Sequence, residues 1–408
     1  MGSQSQTGKF AGASSQSEGR AEEARHANES GKPRLLIISY SNIERDARLR
    51  KQIDLFSKEY DVTVVGHGNP FASDAELILF PSAESKRTER LRAVLLHLKQ
   101  YALAQKLEAN NVATRKILKH RVFDAAIAND IEPVGLAIEL FGPDKVHADL
   151  HEYYPGLQDQ DPAWVNLRKP YYQWMLRNNV ASAASVTTVS DEIANLYSKE
   201  LGIDVGVVAN ALPCQGLTPT PVHDPLALAH HGAALPNRHI ETMMRAASRS
   251  QVNLTLDLFL TGVGTDYYRS LEVLAHDLGD RVTLRSPLSR QDLIPMLNQY
   301  DVGIHSLPAT ATNNLLALPN KFFDFVQACL AIVIGPTPAM AARVQEFDLG
   351  VEAKGFSEDN LVDALNQLTP DAVARWKENS AAAAKALDVT PMLKKWKDPV
   401  DEIAKATS

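Results

Sequence analysis

Six residues near position 320 have the types and spacing that bind a phosphate group. The segment Pro319-Asn320-Lys321-Phe322-Phe323-Asp324 precedes an apolar run at residues 331–335, so it predicts a helix start that faces a loop. The unpaired N–H groups and the dipole of such a start attract an anion, and Lys321 adds a positive charge. Asp324 falls on the same helix side, where its carboxylate could accept hydrogen bonds from ribose hydroxyls. The alternative interpretation is an ordinary helix start in an α/β domain.

Other loops in the second half of the chain carry groups that suit a nucleotide. After one predicted strand, Gly232 allows close approach of a ligand, and Arg238 supplies a forked donor for phosphate. The loop Arg285-Ser286-Pro287 leaves another predicted strand, and Arg285 is a candidate for contact with a nucleobase. The segment Thr261-Gly262-Val263-Gly264 contains G-x-G without the rest of a dinucleotide fingerprint, so it predicts a turn.

In the first half of the chain, polar residues follow two predicted strands. Asp130 follows one strand, and His151 and Glu152 follow the next. His151 could bind a substrate hydroxyl or share a proton with an acceptor, because the ordinary pKa of histidine lies near neutrality; a hydrogen-bonded histidine that only shapes the loop is the alternative. The segment Asp159-Gln160-Asp161 has the letters of a metal-binding D-x-D. It does not end an apolar strand and Pro162 follows it, so it predicts a polar loop and no bound metal.

Strands and helices that alternate in two successive series must position these residues. An apolar strand at 34–40, a helix with Leu49, Ile53 and Phe56, and a second strand at 61–66 predict a β-α-β unit. Ser41-x-x-Glu44 has the spacing of a capping box for that helix. Further strands are predicted at 123–128, 145–150, 185–189, 205–209, 228–232, 254–261, 282–285, 302–305 and 332–334. The sequence therefore predicts an α/β protein with two doubly wound, Rossmann-like parallel-sheet domains that face each other across a cleft.

The domain boundaries follow from local composition. Residues 1–32 contain no Leu, Ile, Val, Trp or Tyr and predict a disordered leader. Residues 33–210 form the first predicted domain and residues 226–389 the second. A proline-rich linker at 211–225 separates them.

Composition and charge limit the class of protein. With 45% apolar and 22% charged residues, the chain resembles a globular protein, and it has no apolar run of eighteen residues that could span a membrane. The net charge of −7 argues against nucleic acid as a partner. Cys214 and Cys329 have no metal-ligand spacing and fit a reducing compartment as unreactive packing residues. We therefore expect a cytoplasmic protein.

Residues 86–121 are more basic than the rest of the chain. This stretch carries ten Lys or Arg against two Glu, and its helical pattern places Leu91, Leu95 and Leu98 on one face. A solvated helix face is one interpretation. The other is a peripheral contact with anionic lipid on the inner face of a membrane, or with a phosphorylated acceptor.

Taken together, these motifs resemble the GT-B fold glycosyltransferases, and within them family 4, which uses nucleoside diphosphate sugars. The similarity runs from about residue 34 to the C-terminus and rests on four segments: Ser41–Arg48, Asp149–Pro155, Gly232–Arg238 and Leu318–Asp324. It implies a donor held by the second domain, a glycan or glycolipid acceptor held mainly by the first, and a last helix at about 390–408 that crosses back to the first domain. It also implies transfer to a hydroxyl with retention, without a metal or cofactor, from a UDP-sugar or alternatively a GDP-sugar.

The resemblance assigns roles to individual residues. Arg238, Asn320, Lys321 and Gly232 would bind the donor diphosphate, Asp324 the ribose, and His151 would lie near the transferred sugar as the catalytic residue. The remaining candidates for contact with the donor sugar or the acceptor are Asn313, Asn314, Asp130, Glu152 and Arg45.

Two positions depart from the family pattern. Ala233 stands where many members have a second phosphate-binding arginine, and Leu316 stands where the first acid of the Glu, seven residues, Glu motif belongs. Asn313 and Asn314 could replace the hydrogen bonds of that acid, or they could only shape the loop. Two alternatives to a transferase therefore stay open: a sugar-nucleotide epimerase with this fold, and a degenerate relative that binds a nucleotide or a partner without catalysis.

Overall fold

The computed structural model describes residues 31–81 and 86–407. Nearly all of the leader predicted at 1–32 lies outside these ranges. The described chain forms two parallel sheets with helices between most successive strands, so the predicted α/β class with two doubly wound domains is confirmed.

The first sheet is built from seven strands that lie between residues 34 and 207. Its strands are β1 (Arg34–Asn42), β2 (Asp61–His67), β3 (Glu76–Leu79), β4 (Ala125–Asn129), β5 (Val146–Asp149), β6 (Ser185–Thr188) and β7 (Gly206–Val207). They pair in the order β3-β2-β1-β4-β5-β6-β7, all parallel. The helices are α1 (Ala47–Phe56), α2 (Lys86–His97), α3 (Tyr101–Lys106), α4 (Ala109–Leu118), α5 (Val134–Phe141), α6 (Lys169–Asn178) and α7 (Asp191–Leu201).

The second sheet is built from six strands: β8 (Leu226–Ala233), β9 (Leu254–Thr261), β10 (Val282–Arg285), β11 (Val302–His305), β12 (Ala331–Ile334) and β13 (Gly350–Glu352). They pair in the order β10-β9-β8-β11-β12-β13, again all parallel. Its helices are α8 (Ile240–Arg249), α9 (Asp266–Leu278), α10 (Arg290–Leu297), α11 (Thr312–Leu315), α12 (Asn320–Gln327), α13 (Pro338–Phe347), α14 (Glu358–Leu365) and α15 (Pro370–Ala386). A last helix, α16 (Lys394–Thr407), follows.

Both faces of the first sheet are buried, as the continuous apolar runs of its strands require. Leu35 and Ile37 of β1 pack into one core cluster, which also contains residues of β12, whereas Leu36 and Ile38 pack into another on the opposite face. Strand order reverses between β1 and β4 in the first sheet and between β8 and β11 in the second. Ligands of open α/β sheets bind beyond the carboxyl ends of the strands at such reversals.

Some local predictions were wrong. Helix α1 begins at Ala47, and its N-cap is Asp46, whose carboxylate accepts hydrogen bonds from the N–H groups of Arg48 and Leu49. Ser41 instead donates to Asp46 at 2.7 Å, so the capping box expected at Ser41 and Glu44 does not form. The sequence pattern missed β3 and β13 and overestimated β7, which has two residues. All three are short edge strands, whose periodic signal is weak.

The C-terminal helix α16 packs on the first sheet. The indole N–H of Trp396 donates to the Asp149 carboxylate at 3.2 Å, and the Tyr60 hydroxyl donates to Asp401 at 2.6 Å. Helices in the described ranges are all too short or too polar to cross a bilayer.

Candidate functional site

A cavity of about 490 Å³ lies between the two sheets, where both strand orders reverse. From the first half of the chain it receives the start of α1 and the loop after β5, which carries His151 and Glu152. From the second half it receives the end of β8, the residues after β11 and the first turn of α12. The volume is within the range of small-molecule sites.

The first turn of α12 and the end of β8 meet on one side of this cavity. Gly232 has a φ of +129°, and the Lys321 side chain lies directly over it, so that a Cβ at position 232 would be 2.6 Å from Lys321 Cε. Burial and the nearby Arg238 lower the pKa of Lys321 to about 8, although Asp324 opposes this shift. Asn320 exposes its side chain at the helix start. The structure thus brings together the four residues predicted to bind a diphosphate.

The cavity carries an excess of positive charge. Five Lys or Arg side chains line it against the two carboxylates of Glu152 and Asp324, and in the described part of the chain none of the five forms an ion pair. The five are Arg45, Lys51, Arg238, Arg290 and Lys321. Unpaired cations gathered in one cleft attract an anionic ligand.

Two of these cations were missed by the sequence predictions. Lys51 lies on α1, where its ammonium donates to the Ala211 carbonyl at 2.7 Å, and burial together with Arg48 and Arg290 lowers its pKa to about 7. Nothing in the sequence around Lys51 distinguishes it from other helical lysines. Arg290 could have been found, because it opens the helix that follows β10, directly after the N-cap Ser289.

Arg285, the residue predicted to contact a nucleobase, is not brought to this cavity. Its side chain is 53% exposed, and its guanidinium pairs with Asp257 at 2.9 Å. The reason is the strand order: β10 is an edge strand, two places from β8 and farther still from β11, so the end of β10 is remote from the reversal. Arg290, on the helix after the same loop, lines the cavity instead.

The predicted ribose ligand Asp324 is buried but lines the cavity. It is 6% exposed, and its carboxylate lies 3.3 Å from His231 Nε2. No other ion pair to this carboxylate occurs in residues 31–81 and 86–407. Its oxygens therefore remain available to accept hydrogen bonds from ligand hydroxyls.

Polar side chains at the ends of β4 and β5 determine the orientation and the charge of His151. Gln52 Nε2 donates to Asp149, Asn129 Nδ2 donates to Gln52 Oε1, and this orientation leaves Asn129 Oδ1 to accept from His151 Nε2 at 3.1 Å. The other ring nitrogen, Nδ1, lies 3.3 Å from Asp130.

Both nitrogens of His151 thus face acceptors. Burial alone would lower the pKa of His151, but Asp130 and Asp149 outweigh burial and raise it to about 9. The raised pKa favours the charged ring at neutral pH, a form that donates hydrogen bonds from both nitrogens.

The loop that contains Leu316 bridges the two domains. Leu316 does not line the cavity; it packs against the core of the first sheet. Asn313 is buried, and its amide binds the first domain twice, accepting from Tyr153 N at 2.8 Å and donating to Glu152 at 2.5 Å. Asn314 lines the cavity, and among the described residues its side chain makes one hydrogen bond, from Nδ2 to the Pro308 carbonyl. Of the two asparagines, Asn314 is the one free to contact a sugar.

The remaining predicted site residues lie around this bridge. Asp159 of the D-x-D segment accepts from Thr312 N and Oγ1 at 3.0 and 2.5 Å, so it holds the two domains together. Asp130 accepts a short hydrogen bond from the Tyr154 hydroxyl and lines a second cavity, whereas Glu152 lines both cavities. Arg45 lies at the rim of the first cavity.

Comparisons with known proteins identify the fold. No protein-family model matches the sequence, and no curated protein sequence matches it. A sucrose-phosphate synthase from Thermosynechococcus elongatus superposes with a TM-score of 0.69 at 14% identity, over 92% of this chain and 100% of its own. An α,α-trehalose 6-phosphate synthase from Burkholderia multivorans gives 0.67 at 11% identity, over 92% and 100%. HepE from Anabaena, in complex with UDP, gives 0.66 at 14% identity, over 90% and 100%. The chain has the GT-B fold.

Proposed function

We propose that this protein is a glycosyltransferase that moves a sugar from a nucleoside diphosphate sugar to a hydroxyl acceptor. The observation that carries the proposal is the set of unpaired cations in the interdomain cavity of a GT-B fold, at the reversal where nucleotides bind. A UDP-sugar is the favoured donor, since the structural neighbour HepE was crystallised with UDP and with UDP-glucose. A GDP-sugar is the alternative.

Catalysis would rest on stabilisation of the leaving group. The acceptor oxygen forms a bond to the anomeric carbon, the bond from that carbon to the diphosphate breaks, and the electron pair leaves with the nucleoside diphosphate. Lys321, Arg238 and the α12 N-terminus would neutralise the charge that grows on the diphosphate. Because the carboxylates beside His151 raise its pKa and favour the protonated ring, the hydroxyl proton would pass to an oxygen of the departing diphosphate, in a retaining and metal-independent course.

Donor binding and turnover test this proposal. A thermal-shift screen with UDP-, GDP-, ADP- and dTDP-sugars identifies the donor, because a ligand at 100 times its dissociation constant adds about 2.7 kcal/mol of stability. We expect Lys321→Ala and Arg238→Ala to lower kcat/KM on the order of a hundredfold. Arg285→Ala is the matched control, since Arg285 lies outside the cavity, and it should keep near wild-type turnover. Wild-type kinetics in both cavity variants would refute the assignment.

Incubation of the protein with a UDP-sugar, with and without an acceptor, separates the two alternative functions. An epimerase changes the configuration of the sugar without an acceptor and keeps the nucleotide attached. A degenerate relative binds a nucleotide tightly but transfers nothing to any member of a broad acceptor panel. Release of the free nucleoside diphosphate that depends on acceptor supports the transferase.

We further propose that the basic segment at residues 86–121 contacts anionic lipid from the cytoplasmic side. Leu91, Leu98 and Leu103, in the same segment as the basic residues, expose half or more of their surface, at 50%, 63% and 50%, while Leu95 is partly buried. Such a face suits a membrane interface. Binding to liposomes should rise with phosphatidylglycerol content and fall with salt, and Leu91→Ser with Leu98→Ser should weaken it. Binding that depends on neither lipid charge nor salt would contradict this proposal.

A further inference from the structure

A second cavity, of about 440 Å³, adjoins the proposed donor site within the first half of the chain. It lies among β1, the α2–α4 segment and the start of α6, and Glu152 lines both cavities. Asp130 also lines the second cavity, and its carboxylate contacts His151, which lines the first. The two cavities therefore adjoin at the loop after β5, where an acceptor must meet the donor sugar.

The carboxylates of this second cavity already have hydrogen-bond donors. Glu108 caps α4 by accepting from Asn111 N at 2.8 Å, and Glu132 accepts from the Tyr172 hydroxyl at 3.3 Å. Asp130 accepts from Tyr154, and Glu152 accepts from Asn313. Burial raises the pKa of Glu132 to about 7, so its negative charge is incomplete at neutral pH.

The two arginines of the same cavity are not paired with these carboxylates, although Arg92 has a hydrogen bond with the Tyr171 side chain. Within the described ranges neither Arg92 nor Arg168 pairs with a carboxylate, although four acids line the same space. Arg92 Nε is buried without a hydrogen-bond partner, and its guanidinium carbon lies 5.8 Å from the centre of the Tyr171 ring. A buried N–H group without an acceptor costs free energy, and a guanidinium that no carboxylate neutralises can still bind an anionic group.

Aromatic rings complete the cavity. Tyr172 lines it and is held by a stacked contact with Trp164 at 5.4 Å and a tilted contact with Tyr154 at 5.5 Å. Arg168 closes the π-helical turn Trp164–Arg168 that leads into α6. A fixed phenol ring beside carboxylates and guanidinium groups offers both a stacking surface and hydrogen bonds to a hydroxyl-rich ring with an acidic substituent.

We propose that the second cavity binds the acceptor, and that this acceptor carries a phosphate or carboxylate group held by Arg92 and Arg168. The inference rests on the proposed transferase function and defines the class of its acceptor. The hydroxyl that reacts points past Glu152 toward the donor sugar, and its oxygen replaces the diphosphate on the anomeric carbon while the proton leaves with the nucleoside diphosphate. The anionic group belongs either to a soluble sugar acid or sugar phosphate, or to a phosphate-linked lipid.

The test measures binding to the full chain saturated with UDP. The soluble probes are glucose 6-phosphate, glucuronate and glucose, and the lipid probe is a phosphatidylcholine vesicle that carries a polyprenyl phosphate sugar. We expect at least one anionic probe to bind ten times more tightly than glucose or plain vesicles. Arg92→Gln and Arg168→Gln should each weaken that binding about tenfold or more. Arg269→Gln is the matched control, because Arg269 is a surface arginine of α9 that pairs with Asp266 and lies outside both the cavity and the basic segment.

Donor binding distinguishes failure of the acceptor assignment from failure of the proposed transferase function. A thermal shift with the UDP-sugar in all three variants shows that they fold and that the donor site is intact. When the donor still binds, any of three results overturns the acceptor assignment. Glucose binds as tightly as the anionic probes, Arg92→Gln and Arg168→Gln leave the affinity unchanged, or no probe binds at all. If the UDP-sugar itself does not bind, the transferase proposal fails first.

Discussion

The contact between Gly232 and Lys321 gives a sharp test of the proposed diphosphate site, through the substitution Gly232→Ala. The new methyl carbon would lie 2.6 Å from Lys321 Cε and 2.7 Å from its Nζ, whereas ordinary contacts begin at 3.4 Å. The lysine must therefore retreat by 3.4 − 2.6 = 0.8 Å or more. The substitution thus moves a charge in the cavity without removing it.

The size of the effect follows from that displacement. If Lys321 moves from a hydrogen-bond distance of about 2.8 Å to about 3.6 Å from a phosphate oxygen, the attraction at an effective dielectric constant of 20 weakens from about 5.9 to about 4.6 kcal/mol. This loss of about 1.3 kcal/mol corresponds to roughly tenfold in kcat/KM. Complete loss of the hydrogen bond sets the upper limit at about a hundredfold.

The assay compares steady-state kcat/KM for the donor with the free energy of unfolding. Position 232 has a φ of +129°, so alanine there also costs about 1–3 kcal/mol of stability. Gly264→Ala is the matched control, because Gly264 has a φ of +84° and its new methyl group would have no atom within 4 Å, so this variant carries backbone strain alone. We expect both variants to lose stability and only Gly232→Ala to lose donor turnover.

A double mutant shows whether the effect passes through the lysine. In a Lys321→Ala background, Gly232→Ala should change kcat/KM by less than about threefold, because the side chain that it displaces is gone. Two outcomes would refute the reasoning: kinetics of Gly232→Ala equal to those of Gly264→Ala, or single-variant losses that multiply in the double mutant.

Two further predictions concern charge and domain closure. The pKa of Lys321 is lowered to about 8, so its charge is present below that pH and lost above it. KM for a UDP-sugar, measured between pH 6.5 and 9.5, should therefore rise up to tenfold per pH unit above 8. The variant Lys321→Arg should remove this rise, because arginine stays charged throughout the range. A KM that stays flat in the wild type would contradict the placement of this lysine at the diphosphate. Asn313→Ala leaves Tyr153 N and Glu152 without their interdomain partner, so it should destabilise the contact between the domains by about 1–3 kcal/mol. Donor KM should then rise several-fold, and the radius of gyration from small-angle scattering should increase. Asn166→Ala is the control, because Asn166 is exposed, and it should change neither quantity.

One rule of parallel sheets allowed the fold and several cavity residues to be predicted from the sequence. Buried parallel strands are apolar runs, and the residues that follow them gather at one edge of the sheet. This rule identified Gly232, Arg238, Lys321, Asp324 and His151 without knowledge of any distance, and all of them line the interdomain cavity. Leu316, which stands at the position of the first acid in the motif that the sequence resembles, packs against the first-domain core.

The remaining features depend on strand order and on side chains far apart in sequence. Arg285 obeys the same rule as Arg238, but its strand lies at the sheet edge, which no local pattern reveals. The charge of His151 is set by Asp130 and Asp149, whereas Asn129, itself held by Gln52 of α1, orients the ring. Residue types alone give the ordinary pKa of histidine; only the fold supplies the carboxylates that raise it.

The position of Trp396 has a consequence for how the protein is made. This side chain is 0% exposed, lies against the Arg48 guanidinium at 4.6 Å and donates to Asp149, yet it belongs to the last helix of the chain. The first sheet ends at Val207, so 396 − 207 = 189 residues must be synthesised before this part of its core arrives. At about 5–20 residues per second, the ribosome needs roughly 10–40 s for that stretch. During that time, the part of the first-sheet core that Trp396 fills lacks this side chain, although α1 already packs on the same face.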